Sequence, residues 1–150
     1  MRKSLLNKEC GETLVRRIQK LQPDASPLWG RMNATEMLLH LNRINEQLLN
    51  APATKKGISL KQYIGRWLFL YVFSNFPKNA RTPKRNDTKG QIDTSAFGEQ
   101  QQKFIELIQR FPLHQQPIEL PHPYFGDLNT KQWGLAGYKH VNHHLRQFGV

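Results

Sequence analysis

Apolar residues recur at intervals of three and four along most of this chain, the spacing of helices that bury one face. Leu5, Leu6, Leu14, Val15, Ile18 and Leu21 predict a first helix over about residues 5–21. Pro23 and Pro27 then force a loop. Asn33-Ala34-Thr35-Glu36 has the form of a capping box, an Asn that can accept from the first free amides and a Glu three positions on. It opens a second helix, to about residue 50, with the stripe Met37, His40, Leu41, Ile44 and Leu48. A third helix, over about residues 60–74, is apolar nearly all round and is expected to be buried or to form an interface. A fourth, over about residues 95–111, carries Phe97, Phe104, Ile105, Leu107 and Ile108. Pro112, Pro117, Pro121 and Pro123 keep the next stretch extended. Asn129-Thr130-Lys131-Gln132 repeats the capping box and opens a last helix to about Phe148, where Gly149 can terminate it. No period-two strand, internal repeat or low-complexity tract stands out. The pattern predicts an all-α fold of about five helices, a four-helix bundle with one extra or divided helix and long connecting loops.

A length of 150 residues, 38% hydrophobic, suits one domain over residues 1–150. The longest apolar run, Trp67 to Phe73, is too short to span a bilayer, and residues 1–9 have no signal-like apolar region. The expectation is a soluble, cytoplasmic protein with no membrane partner. Cys10 is the only cysteine, so no internal disulfide is possible and a metal site must rely on histidine and oxygen. Glu9 and Glu12 beside it disfavour a thiolate. The net charge of +11 attracts nucleic acid, anionic membrane or acidic metabolites without choosing among them. Lys78, Arg81, Lys84, Arg85 and Lys89 concentrate it in a loop over residues 77–90. That loop is the basis of an alternative reading, a non-enzymatic nucleic-acid-binding module. It has no interleaved aromatics, and the chain has no helix-turn-helix or zinc-finger pattern, so a solvated loop is the simpler expectation.

Histidine placement changes the picture more. Three of the six histidines are His140, His143 and His144. His140 and His144 are one helical turn apart on one face, continuing the stripe Trp133, Gly137, His140, His144, Phe148. His40 sits on the core stripe of the second helix. Three imidazoles at core positions each need partners for two nitrogens, and no acid lies within a turn of His140 or His144. Core histidines bonded to backbone carbonyls are the simpler alternative for any one of them. A shared divalent metal would satisfy all three together. Three neutral ligands leave a position for water or substrate, which suits catalysis better than a closed structural site. Zinc is the default, with nickel, iron or manganese open.

The same residues carry a resemblance. His40, His140, His144 and Gln147, with Trp29-Gly30-Arg31-Met32-Asn33, Met37-Leu38-Leu39-His40-Leu41, His122-Pro123-Tyr124-Phe125-Gly126, Trp133 and residues 140–149, resemble the DinB-like (DinB/YfiT-like) metalloenzyme superfamily and, more closely, its branch DUF1569. The resemblance spans about residue 28 to the end. It implies an up-down-down-up four-helix bundle, a divalent metal on the three histidines, often a homodimer, and chemistry that in some relatives uses a small thiol.

Other side chains were weighed beside these. His143, about 100° round the helix from His144, is a pocket wall or a surface histidine. Gln147, a turn beyond His144, is a support for a ligand imidazole or a helix-end polar residue. Glu36, a turn before His40, is a base or simply the cap of its helix. His122 borders the site or fixes a loop built on Pro123 and Gly126. Trp29, Trp67 and Trp133 read as core, with Trp133 also a candidate pocket wall. The function expected is a metal-dependent enzyme that activates water or a small thiol for hydrolysis or transfer on a small, anionic molecule. A metal-stabilised fold without chemistry is the other alternative.

Overall fold

The computed structural model describes residues 2–79 and 83–150. Five α-helices carry most of it: α1 (Lys8–Ile18), α2 (Ala34–Asn50), α3 (Leu60–Trp67), α4 (Phe97–Arg110) and α5 (Thr130–Gln147). Two short antiparallel strands, β1 (Leu120–His122) and β2 (Gly126–Leu128), precede α5. The fold is therefore mostly helical with a small sheet, not all-α. Strands of three residues are too short for an alternating pattern to register, and Pro121 inside one of them disguises it further.

Both capping boxes form. Asn33 Oδ1 accepts from Glu36 N at 2.9 Å while Glu36 Oε2 accepts from Asn33 N at 2.8 Å. Asn129 and Gln132 repeat the exchange at the start of α5. α1 begins later than the apolar spacing suggests because Asn7 caps it, accepting from Cys10 N at 2.9 Å. Leu5 lies ahead of that helix yet is fully buried, pinned by its amide to Gly134 O at 3.0 Å. α4 packs on α1 and α2, and α5 packs on the same two helices. Leu14, Met37, Leu41, Phe104, Ile108 and Val141 fill the space between them.

The third helix forms where expected but is not buried within the chain. α3 stops at Trp67, and one π-helical turn, Leu68–Val72, follows it directly. Leu70 of that turn is buried, but α3 buries none of its own residues, and Leu60, Tyr63, Ile64 and Trp67 are all half-exposed or more. Lys139 Nζ donates to Phe69 O and Phe73 O at 2.6 Å each, satisfying carbonyls that the end of the turn leaves free. α3 is held at its polar edge instead. Arg66 Nη1 donates to Asp127 O at 2.9 Å, and Asp127 accepts from the amides of Lys56 and Gly57.

The hairpin and the entry to α3 thus brace each other, and Gly126 is where they touch. Its φ is +66°, and a Cβ there would stand 2.8 Å from Ile58 Cγ1 and 3.1 Å from Ile58 Cα. Gly126→Ala is expected to lower the unfolding free energy by about 1–3 kcal/mol from backbone strain and the clash together. Gly57→Ala, also at positive φ but with open space around it, should lose less. Urea denaturation of the two variants checks the order.

Candidate metal centre

α2 and α5 bring three imidazoles to one point. His40 Nε2 lies 3.1 Å from His140 Nε2, and His144 Nε2 lies 3.1 Å from the same atom. His40 and His144 are buried, and His140 is half-buried. The helix supplies the second spacing, since residues four apart share a face.

The outer nitrogens decide what this cluster can do. His40 Nδ1 is 2.8 Å from Asn86 O, which can only accept, so Nδ1 carries the proton. His144 Nδ1 is 2.8 Å from Gln147 Oε1. The amide of Gln147 is fixed in that sense because its Nε2 donates to Trp29 O. His144 Nδ1 is therefore also a donor. Both rings then present an Nε2 lone pair to His140 Nε2. A neutral His140 has at most one proton on that nitrogen and can answer only one of them. A cation accepting all three lone pairs resolves the arrangement. A tetrahedral ion with nitrogen ligands at 2.0–2.1 Å sets neighbouring nitrogens about 3.3 Å apart; the two edges that meet at His140 are 3.1 Å, and all three ligand atoms lie within 4.8 Å of one another.

Electrostatics agree. Burial, then the neighbouring His144 and His40, hold the His140 pKa well below its ordinary value. Burial pushes His144 down to about 3. Burial also lowers His40, opposed by its bond to Asn86 and by the charge of Asp87. All three are neutral near pH 7, the form that binds a metal.

Two loops complete the shell. Leu28 N donates to Gln147 O at 2.7 Å, so the Trp29 loop is tied to the end of α5 through backbone and side chain together. Gly30, at φ +85°, permits this approach, since a Cβ there would run into the Gln147 amide. On the other side, Thr88 is fully buried and donates to Glu36 O at 2.7 Å, while Gly90 N donates to Glu36 Oε1 at 2.6 Å. That anchorage carries Asn86 O to His40.

The cluster opens on a cavity of about 1180 Å³. His143 lines it, edge-on to Trp29 at 5.6 Å, and donates a ring N–H to the Phe76 carbonyl. Trp133 and His122 line it too. Trp133 donates to Leu120 O at 3.0 Å. His122 Nδ1 accepts from Tyr124 N at 3.1 Å, and its ring stacks on Phe125 at 4.2 Å, so His122 fixes the hairpin and borders the cavity at once. Trp29, expected in the core, is half-buried and also lines the cavity.

Glu36 is not brought to the cluster. Each carboxylate oxygen receives a backbone amide, one from Asn33 and one from Gly90, so it caps α2 and anchors a loop. The acid whose charge reaches His40 is Asp87. Of the basic stretch, Lys78 lies over the Trp29 ring at 4.6 Å, Lys89 lines the cavity and Lys84 is exposed. Arg81 and the Arg85 side chain lie outside the described residues. The supports missed from sequence are Asn86 O, Trp29 O and Asp87. Two of these are backbone atoms, which any residue supplies, and the only hint at the second was the glycine after Trp29. Among the described residues, no helix is long and apolar enough to cross a membrane.

A family model described as a protein of unknown function, DUF1569, matches residues 1–149. No curated protein and no solved structure matches the chain.

Burial alone lowers the His122 pKa from 6.5 to about 4. The unfolded chain takes up that proton first as pH falls, so the native state loses about 3 kcal/mol between pH 6.5 and 4 from this group. Chemical denaturation across that range should show this loss on top of that from His40, His140 and His144, and His122→Gln should make the fall shallower without abolishing it.

Proposed function

We propose that this chain, which belongs to the DUF1569 family, holds a divalent metal on His40, His140 and His144 and acts with it on a small molecule. The observation that carries this reading is the pair of fixed tautomers, which leaves lone pairs from two rings facing the third. The array of α1, α2, α4 and α5 is read as the four-helix bundle of the DinB-like superfamily that the site residues resemble. Zinc or nickel suits an all-imidazole set best, with iron or manganese compatible.

Three protein ligands would leave a position for water or a small thiol, and a bound ion would supply Lewis acidity that makes either a better nucleophile. The protein's part is to orient and exclude. Asn86 O and Gln147 Oε1 hold two ligand rings in the binding tautomer. His143, beside the Phe76 backbone at the cavity wall, is placed to hold a proton there. The aromatic walls keep bulk water off the ligands. Net charge and the cations at the rim favour an anionic substrate. Hydrolysis and thiol-dependent transfer are the two reaction classes this arrangement can serve.

Protein purified without a chelator or polyhistidine tag is expected to contain about one metal ion per chain, read by elemental analysis. The His140→Ala, His144→Ala double variant should lose the ion while keeping its helical circular dichroism. Gln147→Ala should weaken metal binding by about 10–100-fold, since it releases the His144 ring without removing a ligand. No metal in the wild-type protein, and no uptake of added zinc or nickel, would return the three histidines to a packing role.

A further inference from the structure

The cavity is larger than a water molecule or a small thiol requires. Its 1180 Å³ exceeds the roughly 300–1,000 Å³ of most small-molecule sites. It also differs in character from end to end. Around the histidines, the lining includes Arg31, Asp87 and Lys89. Met32 and Thr88, whose side chains touch at 3.4 Å, bring the chain segments that carry Arg31 and Lys89 together. The ion pairs among the described residues are Lys55–Glu119 and Lys103–Glu46, so neither Arg31 nor Lys89 is held in a close ion pair. Asp87 offsets one charge, and Lys78 over the Trp29 ring adds another.

On the side of α3 and the hairpin the lining is Ile64, Leu68, Phe69, Tyr124 and Phe125, with Phe76 packed on the same rings. Phe69, Phe76 and Phe125 form a mutual cluster, with ring centroids 6.1–6.4 Å apart. Ile64 and Tyr124 line the cavity and are also half-exposed, so it reaches the surface between α3 and the hairpin tip. The unburied apolar face of α3 stands at that opening.

We infer that the site takes an amphipathic anion, with its charged head among Arg31 and Lys89 on the histidine side of the cavity and its apolar chain running under α3 and out past Ile64. This names a ligand class for the metal centre and rests on the same cavity. The exposed apolar helix then has a use, as the doorway for a molecule that would otherwise have to cross a polar rim.

The test is calorimetric titration, below micelle-forming concentrations, of octanoate, dodecanoate, dodecanol and dodecylamine into metal-free and zinc-loaded protein. Dodecanoate should bind both forms, on the order of a hundredfold more tightly than octanoate if the added methylenes are fully buried. Dodecanol should bind at least about tenfold more weakly, and dodecylamine not at all. The Arg31→Ala, Lys89→Ala double variant should lose about tenfold for dodecanoate and nothing for dodecanol. Ile64→Glu, at a half-exposed position that folding tolerates, should penalise dodecanoate more than octanoate. Indifference to chain length, equal binding of amine and carboxylate, or a loss in Lys61→Ala with none in the double variant would overturn the inference. So would adsorption to anionic vesicles that dodecanoate does not displace, since the apolar helix would then be a membrane contact. Failure of the metal reading shows separately, as absent zinc uptake with the chain-length dependence intact in metal-free protein.

Discussion

Two imidazole lone pairs, each locked in direction by a hydrogen bond on the far side of its ring, face a third ring at 3.1 Å. Three neutral rings cannot satisfy one another in that geometry, because only one proton is available for two acceptors. Much of the surrounding structure serves to keep them there. Gln147 links His144 to the Trp29 loop, Gly30 lets that loop come close, and the buried Thr88 holds Asn86 against His40. An isolated buried polar group without a partner costs about 1–3 kcal/mol. A fold that leaves one such lone pair unanswered, with such consistent support, gains from a ligand that occupies the point between the three rings.

Glu36 shows how a single side chain can serve position rather than chemistry. By composition it was a reasonable base, an acid one turn before a ligand histidine. Its two oxygens instead take one amide at the start of α2 and another from the far end of the basic stretch. That stretch is consequently no free arm. Its end is fastened to the helix that carries His40, and Lys89 beside Gly90 is delivered to the cavity rim. The protein's excess of positive charge is thereby placed, in part, where a bound anion would meet it.

What the sequence disclosed follows from what each signal encodes. Capping boxes at Asn33 and Asn129 are local chemistry and appear where the spacing put them. His40, His140 and His144 were legible because helical period alone decides which residues share a face. The carbonyls of Asn86 and Trp29 were not, since a backbone oxygen has no side-chain signature. The hairpin was too short to show a period. Of the two expectations for α3, burial within the chain is the one not met: apolar character says that a surface avoids water, not that the fold supplies something to cover it. The cavity, and His122 and Trp133 within it, depend on how hairpin and helix meet, which no local pattern specifies.

His40 and His140 are separated by 100 positions in the chain. Contacts so distant form late, because the closure entropy of the intervening segment must be met before the contact returns anything. During synthesis, His40 therefore spends many seconds without its partners, at roughly 5–20 residues per second. Any fragment ending before α5 has one imidazole where the finished protein has three. An ion bound at this point would accordingly report assembly of the whole tertiary structure, and the nascent chain would have no means of capturing one early.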